Sequence, residues 1–217
     1  VIYTPIRMPN VEYVQLSKAG IAQREGGYVA VDSHNRTSVP HIFAVGDVTT
    51  EVHQLTPKTI AAAETVADRL FLDSNIPPVS FDDTPYAFLA HPSIANVGLT
   101  QTEAIEKHGH AAVKVYRSWP KNLYHGIMQS DRKSFMKMIC VGPQEKVVGL
   151  HMVGMHVEEG LQGFAVAIKM GATKADFDSC LSIEPTLAGS VVNMQGDDEV
   201  IISKQHQDLV EEEKKEE

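Results

Sequence analysis

Residues 72–85 read LDSNIPPVSFDDTP, and no regular element can run through them. Pro77, Pro78 and Pro85 lack the backbone donor that a helix interior or a central strand needs, and the Asp, Ser and Asn between them favour turns. The segment from Asp73 to Pro85 therefore reads as a linker between two units whose patterns differ. Before it, residues 27–31 and 41–45 read as short strands around the polar turn SHNRTS, and Gly46 and Asp47 end the second. Thr56 is placed to cap a helix with Pro57 at its first position, and TIAAAETVADRLF supplies apolar residues at helical spacing. After the linker, residues 86–91, 113–118, 134–141 and 146–153 read as strands, the last two joined by a turn at 142–145. Thr100 and Glu103 form a capping box for a short helix that stops near Gly109. Residues 157–170 make an amphipathic helix stopped by Gly171, and 186–194 a last helix. Strands followed by helices on one face predict an α+β layer.

At 217 residues, with 43% hydrophobic and 22% charged content, the chain can bury a real core. It has no apolar run of the roughly 18 residues that a membrane span needs. Its first ten residues carry one basic residue and two prolines, unlike a signal peptide. They also lack an initiating Met, as expected of a processed chain or of one that starts part way along. The formal charge of -9 argues against nucleic-acid binding, which needs concentrated Lys and Arg. Part of that charge lies in residues 211–217, EEEKKEE, and in Asp197, Asp198 and Glu199. Such a run is expected to be a solvated terminus, with docking to a basic partner as the alternative. The chain's two cysteines, Cys140 and Cys180, form no CxxC or CxxxxC pattern and sit among apolar neighbours. Buried structural thiols in a reducing compartment are expected.

One stretch carries chemistry on its own terms. In TSVPHIFAVGD, residues 37–47, a buried strand ends on Gly-Asp, where glycine lets a ligand approach the backbone and aspartate accepts from sugar or polyol hydroxyls. A strand-ending turn without a ligand is an equally good reading of these residues alone. The stretch TSVPHIFAVGDVT followed by LTPKTIAAAETVADRLF resembles the second FAD-binding signature of the disulfide-reductase flavoproteins. The resemblance implies that Asp47, after Gly46, holds a ribityl hydroxyl of FAD, and that the backbone at Leu55, Thr56 and Pro57 faces the flavin ring. A helix N-terminus so aimed stabilises negative charge on the ring. Further on, HPSIANVGLTQTEAIEKHG, VKVYRS, FMKMICVGPQEKVVGLHMVG and LQGFAVAIKMGATKADFD resemble the interface domain of the glutathione reductases. The likeness spans roughly residues 7–195 and implies three parts: 1–76, the C-terminal remnant of an FAD-binding α/β domain; 77–196, an α+β interface domain, an antiparallel sheet flanked by helices, that makes a homodimer or binds a protein partner; and 197–217, an acidic tail.

Three departures qualify what that resemblance implies. The sequence contains no Gly-rich dinucleotide motif, no CxxxxC redox disulfide and no NADPH domain, so FAD is expected to have a partial site here and NADPH none. The family's C-terminal active segment reads His-Pro-Thr, two residues, then Glu-Glu. Here Glu184 replaces the proton-shuttling His, while Gly189 and Ser190 replace the two glutamates, the first of which orients that imidazole. A carboxyl is normally ionised at neutral pH and makes a poor proton donor beside a thiolate. In IRMPN, finally, Ile6 stands where the family has glycine, although Arg7, Pro9 and Asn10 match.

The histidines carry no separate assignment. His91 and His125 read as a strand end and an old substrate surface, and His108 with His110 is too isolated for a metal site. Trp119 and Tyr124 read as substrate surface or as packing. The stripe Leu161, Phe164, Ala165 and Ile168 reads as plain core or as partner contact, the analogy with the family favouring the partner, and the same analogy suggests a cis bond at Pro185 that the sequence leaves open. Two functions follow. The chain is a reductase-like module without its own reductase activity, serving dimerisation or an accessory role, or else it is one part of a split FAD- and NADPH-dependent glutathione-disulfide reductase. An altered acid/base role for Glu184 ranks third. The compartment is expected to be intracellular, mitochondrial or cytoplasmic.

Overall fold

The computed structural model describes residues 1–5, 7–50 and 54–195; Ile6 and the acidic run 197–217 fall outside them. The chain divides into two compact units, Val1–Phe81 and Asp82–Glu217.

The first unit is mostly irregular. Residues 27–31 and 41–45 do not form the expected strands: they make only the isolated bridges Gln23↔Val29 and Arg36↔Phe43. Their β-branched and aromatic residues suit a strand, but a strand also needs a neighbour to take its hydrogen bonds. Here Thr37 N donates to Ile42 O and Ala44 N to Asn35 O, which closes the segment on itself. The one long element is α1, Thr56–Phe71. Thr56 is its first residue rather than its cap, a role taken by the Leu55 backbone without any side-chain hydrogen bond. Pro57 falls in the first turn, where its missing N–H would have no partner anyway.

The second unit is the expected antiparallel sheet with helices. Its strands are β1 (Tyr86–Phe88), β2 (Ser93–Gly98), β3 (Val113–Ser118), β4 (Phe135–Val141) and β5 (Lys146–Gly154), in spatial order β1-β2-β5-β4-β3. Every pairing is antiparallel. The predicted strand 86–91 stops at Phe88, the His91–Pro92 bond is cis, and β2 then begins, a strand absent from the sequence reading. Ala95 and Gly98 give β2 little strand character, yet small residues are what its place requires. A Cβ on Gly98 would stand 2.1 Å from the Val148 carbonyl, and one on its partner Gly149 would stand 2.1 Å from that of Leu99.

The helices are α2 (Gln101–His108), α3 (Leu123–Ile127), α4 (Val157–Lys169), α5 (Lys174–Asp178) and α6 (Gly189–Val192). α2 opens on the expected capping box and ends at Gly109; α3 and α5 were not expected, and α6 is far shorter than 186–194. α4 lies on β2 and β5. Its Leu161, Ala165 and Ile168 are buried with Met136, Met138, Leu150 and Met152, and Phe164 packs on the same cluster. That stripe is core rather than partner contact; the exposed large apolar residues at α4 are Val166 and, just beyond its end, Met170. Cys140 is buried as expected, whereas Cys180 is exposed, because its turn after α5 carries it clear of the core.

Candidate functional site

The residues singled out by sequence gather in two places, one in each unit. In the first, Gly46 opens a tight turn, Gly46–Thr49, with φ at +81°, and the Thr49 hydroxyl donates to the Gly46 carbonyl at 2.8 Å. A Cβ at position 46 would meet Thr59 Cγ2 at 2.7 Å, so the turn approaches α1 this closely only with glycine. Beside it a cavity of about 190 Å³ is lined by Gly46, Asp47, Thr49, Leu55, Lys58 and Phe81, among others. The Lys58 ammonium lies 4.9 Å from the centre of the Phe81 ring. Asp47 is exposed at the cavity, ready to accept from hydroxyls. Thr56 and Pro57 are exposed in the first turn of α1 and stand outside the cavity wall. The uncapped start of α1 leaves backbone N–H groups that favour negative charge. This donor and acceptor set fits one edge of a flavin and its polyol chain, and the cavity is too small for the whole cofactor.

The second place is the loop 182–190. The Ser182 hydroxyl donates to Glu184 Oε1 at 2.9 Å. Thr186 Oγ1 donates to the Ile183 carbonyl at 2.7 Å and accepts from Gly189 N at 2.9 Å. Glu184 and Ser190 line a cavity of about 520 Å³ together with Lys121, Asn122 and His156. Gly189 does not line it. It is buried, and a Cβ there would stand 2.8 Å from the Ile183 carbonyl. The Glu184–Pro185 bond is cis. His156 takes a left-handed backbone at the cap of α4 without capping it, so the start of that helix opens onto the cavity.

Sequence reasoning passed over Lys121 and His156, which are far apart in the chain and meet only through the fold. His156 left one signal, an unusual backbone ahead of a strong helix, and that is visible only in three dimensions. His125 lies on α3 with its ring 5.5 Å from that of Tyr124, and Trp119 lies 5.5 Å from Phe135. Among the described residues no His, Cys, Asp and Glu group could hold a metal ion, and no helix is long and apolar enough to cross a membrane.

The model of the pyridine nucleotide-disulphide oxidoreductase dimerisation domain matches residues 84–195, more than half of the chain, and that of the pyridine nucleotide-disulphide oxidoreductases matches 7–67. The chain belongs to this family. Among its relatives, the glutathione reductase of Schizosaccharomyces pombe is 41% identical over 190 residues, 87% of this chain and 41% of that protein. The glutathione reductase of Yarrowia lipolytica is 41% identical over 196 residues, 89% of this chain and 42% of that one. The chain thus spans about two fifths of the length of the oxidoreductases it matches. In three dimensions it is similar to the HOCl-induced flavoprotein disulfide reductase RclA from Escherichia coli, with a TM-score of 0.74 at 20% identity over 87% of this chain and 42% of that one. At that identity the likeness speaks for the fold alone.

Proposed function

We propose that this chain is a dimerisation module of the glutathione reductase type that keeps a flavin-facing strip but does not perform the acid–base step of disulfide reduction. The observation that carries this reading is the loop 182–190. Position 189 would have to supply the glutamate that orients a proton shuttle, and a Cβ there would stand 2.8 Å from the Ile183 carbonyl, so a side chain requires the backbone of the loop to shift. At position 184 a carboxylate held by the Ser182 hydroxyl stands in place of an imidazole. Two linked losses, one locked in by backbone packing, argue for a relinquished step rather than a retuned one.

FAD fits as a partial ligand. Asp47 would accept from its polyol hydroxyls, Gly46 would let it approach the backbone, and the chain at Leu55, Thr56 and Pro57 would face the ring. When bound, the flavin supplies two-electron redox chemistry. The residues named here offer nothing comparable for NADPH. The second unit would pair with a second copy through the dimerisation domain.

The test is made on the native complex purified with whatever accompanies it. Sedimentation equilibrium should give a dimer, and NADPH-dependent reduction of glutathione disulfide should be absent, in the wild type and in Glu184→His alike. Turnover of glutathione disulfide by the wild type would sink the reading. One observation favours the second reading, a split reductase: Gly46 holds its turn at a φ of +81° and leaves the Asp47 carboxylate exposed, where a flavin's polyol chain would meet it. Flavin absorption together with a second polypeptide bearing CxxxxC would support it.

A further inference from the structure

The face of the sheet opposite α4 carries a polar row in strict register. Asn96 on β2 pairs with His151 on β5, His151 with Lys137 on β4, and Lys137 with Arg117 on β3. Residues directly opposite in an antiparallel pair present their side chains on one face, about 5 Å apart. The row ends in two adjacent cations. Arg117 is only 5% exposed and is anchored from α2, where its Nη2 donates to Gln101 Oε1 at 3.1 Å. Glu103, also on α2, brings the local carboxylate, and its Oε2 accepts from Thr100 N and Oγ1 at 2.8 Å each. Lys137 is different. Its half-buried ammonium has three N–H donors, and no hydrogen bond or ion pair joins it to a described residue. Burial and the neighbouring Arg117 charge both push its pKa down, the mark of an ammonium short of a counter-charge.

Two residues along the same face stand two rings. Phe135 precedes Lys137 on β4, and Trp119 follows Arg117 just beyond β3, with ring centres 5.5 Å apart and Trp119 partly exposed. A pair of cations therefore adjoins a pair of rings. We propose that Lys137, Arg117, Trp119 and Phe135 form a binding site for an aromatic carboxylate, its anionic group on the Lys137 ammonium and its ring against Trp119. The carboxylate would supply the acceptor that Lys137 lacks, and the fixed guanidinium would add attraction without having to move. A neutral aromatic of the same shape would leave the ammonium as it is.

Trp119 is the chain's single tryptophan, so its emission reports on the site. Benzoate titrated into the full chain should change that emission saturably, and isosteric benzamide should not. Lys137→Gln should weaken benzoate binding roughly tenfold, as expected for loss of a charge-assisted hydrogen bond, and Lys137→Arg should restore most of it. The wild-type comparison of benzoate with benzamide needs no variant to fold. Equal responses to the two ligands, or an unchanged benzoate titration in a folded Lys137→Gln, would overturn the proposal.

Discussion

The two thiols differ in what surrounds each sulfur. Cys140 has no exposed surface, and burial, reinforced by the Glu145 carboxylate, pushes its pKa up to about 12. The thiolate is the reactive form, so this thiol is inert while the fold holds. Cys180 is exposed, its Sγ resting 3.4 Å from the Asp176 carbonyl. Treatment of the native chain with a thiol reagent should modify one cysteine, mapped to Cys180, with Cys140 following only in denaturant; prompt labelling of both would contradict the buried position of Cys140. His151 gives a pH dependence of known sign. Burial lowers its pKa below the ordinary 6.5, against the opposing pull of the Leu99 carbonyl, which lies 2.9 Å from Nε2. Above pH 6.5 the imidazole is neutral in both states and its contribution is complete; as pH falls through that value the unfolded chain takes the proton first, and stability is lost. Urea midpoints measured from pH 7.5 down to about 5 should therefore fall less steeply in His151→Gln than in the wild type.

At the scale of elements, α2 shows what a local signal can specify. Glu103 N donates to Thr100 Oγ1 at 3.3 Å and Thr100 N to Glu103 Oε2 at 2.8 Å, all within one turn of chain. Thr100→Ala removes half of that box and should lower unfolding stability by about 1 kcal/mol, read from the urea midpoint at constant slope. Because every partner lies within three residues, this helix was legible in the sequence, as were α4 and the turn between β4 and β5. β2 was not legible, since its strand character is imposed by β1 and β5 on either side rather than by its own residues. The opposite failure befell 27–31 and 41–45, where composition favours strands but the backbone finds only isolated bridges. The same rule divides the candidate sites. Gly46, Asp47 and Leu55 are close in sequence and were found together, whereas Lys121 and His156 reach the cavity beside Glu184 only because β4 and β5 fold between them.

At the scale of the whole molecule, the question is what the second unit does with apolar surface that its own core leaves out. Leu181 is 97% exposed and Ile183 75%, on either side of Ser182 and immediately before Glu184. Neither contributes to the buried cluster on which the fold rests. Burying such a side chain is worth roughly 1.5–3 kcal/mol, but association must also offset lost rotational and translational freedom, so only a few well-placed anchors decide an interface. If the unit pairs with a second copy, these two residues are candidates for such anchors, and their position fixes what the loop can do. A segment committed to packing against another chain has reason to hold its backbone still, and the Thr186 hydroxyl does this by tying Ile183 O to Gly189 N. Replacing both residues by aspartate, Leu181→Asp with Ile183→Asp, should raise the dimer dissociation constant at least ~100-fold, about the effect of removing two hot-spot side chains. Far-UV circular dichroism should stay unchanged, because neither side chain supports the core. Sedimentation equilibrium over a range of concentrations separates the outcomes: a dimer undiminished by the double substitution places the interface elsewhere, whereas a folded monomer ties dimerisation to the same loop that carries Glu184, Gly189 and Ser190.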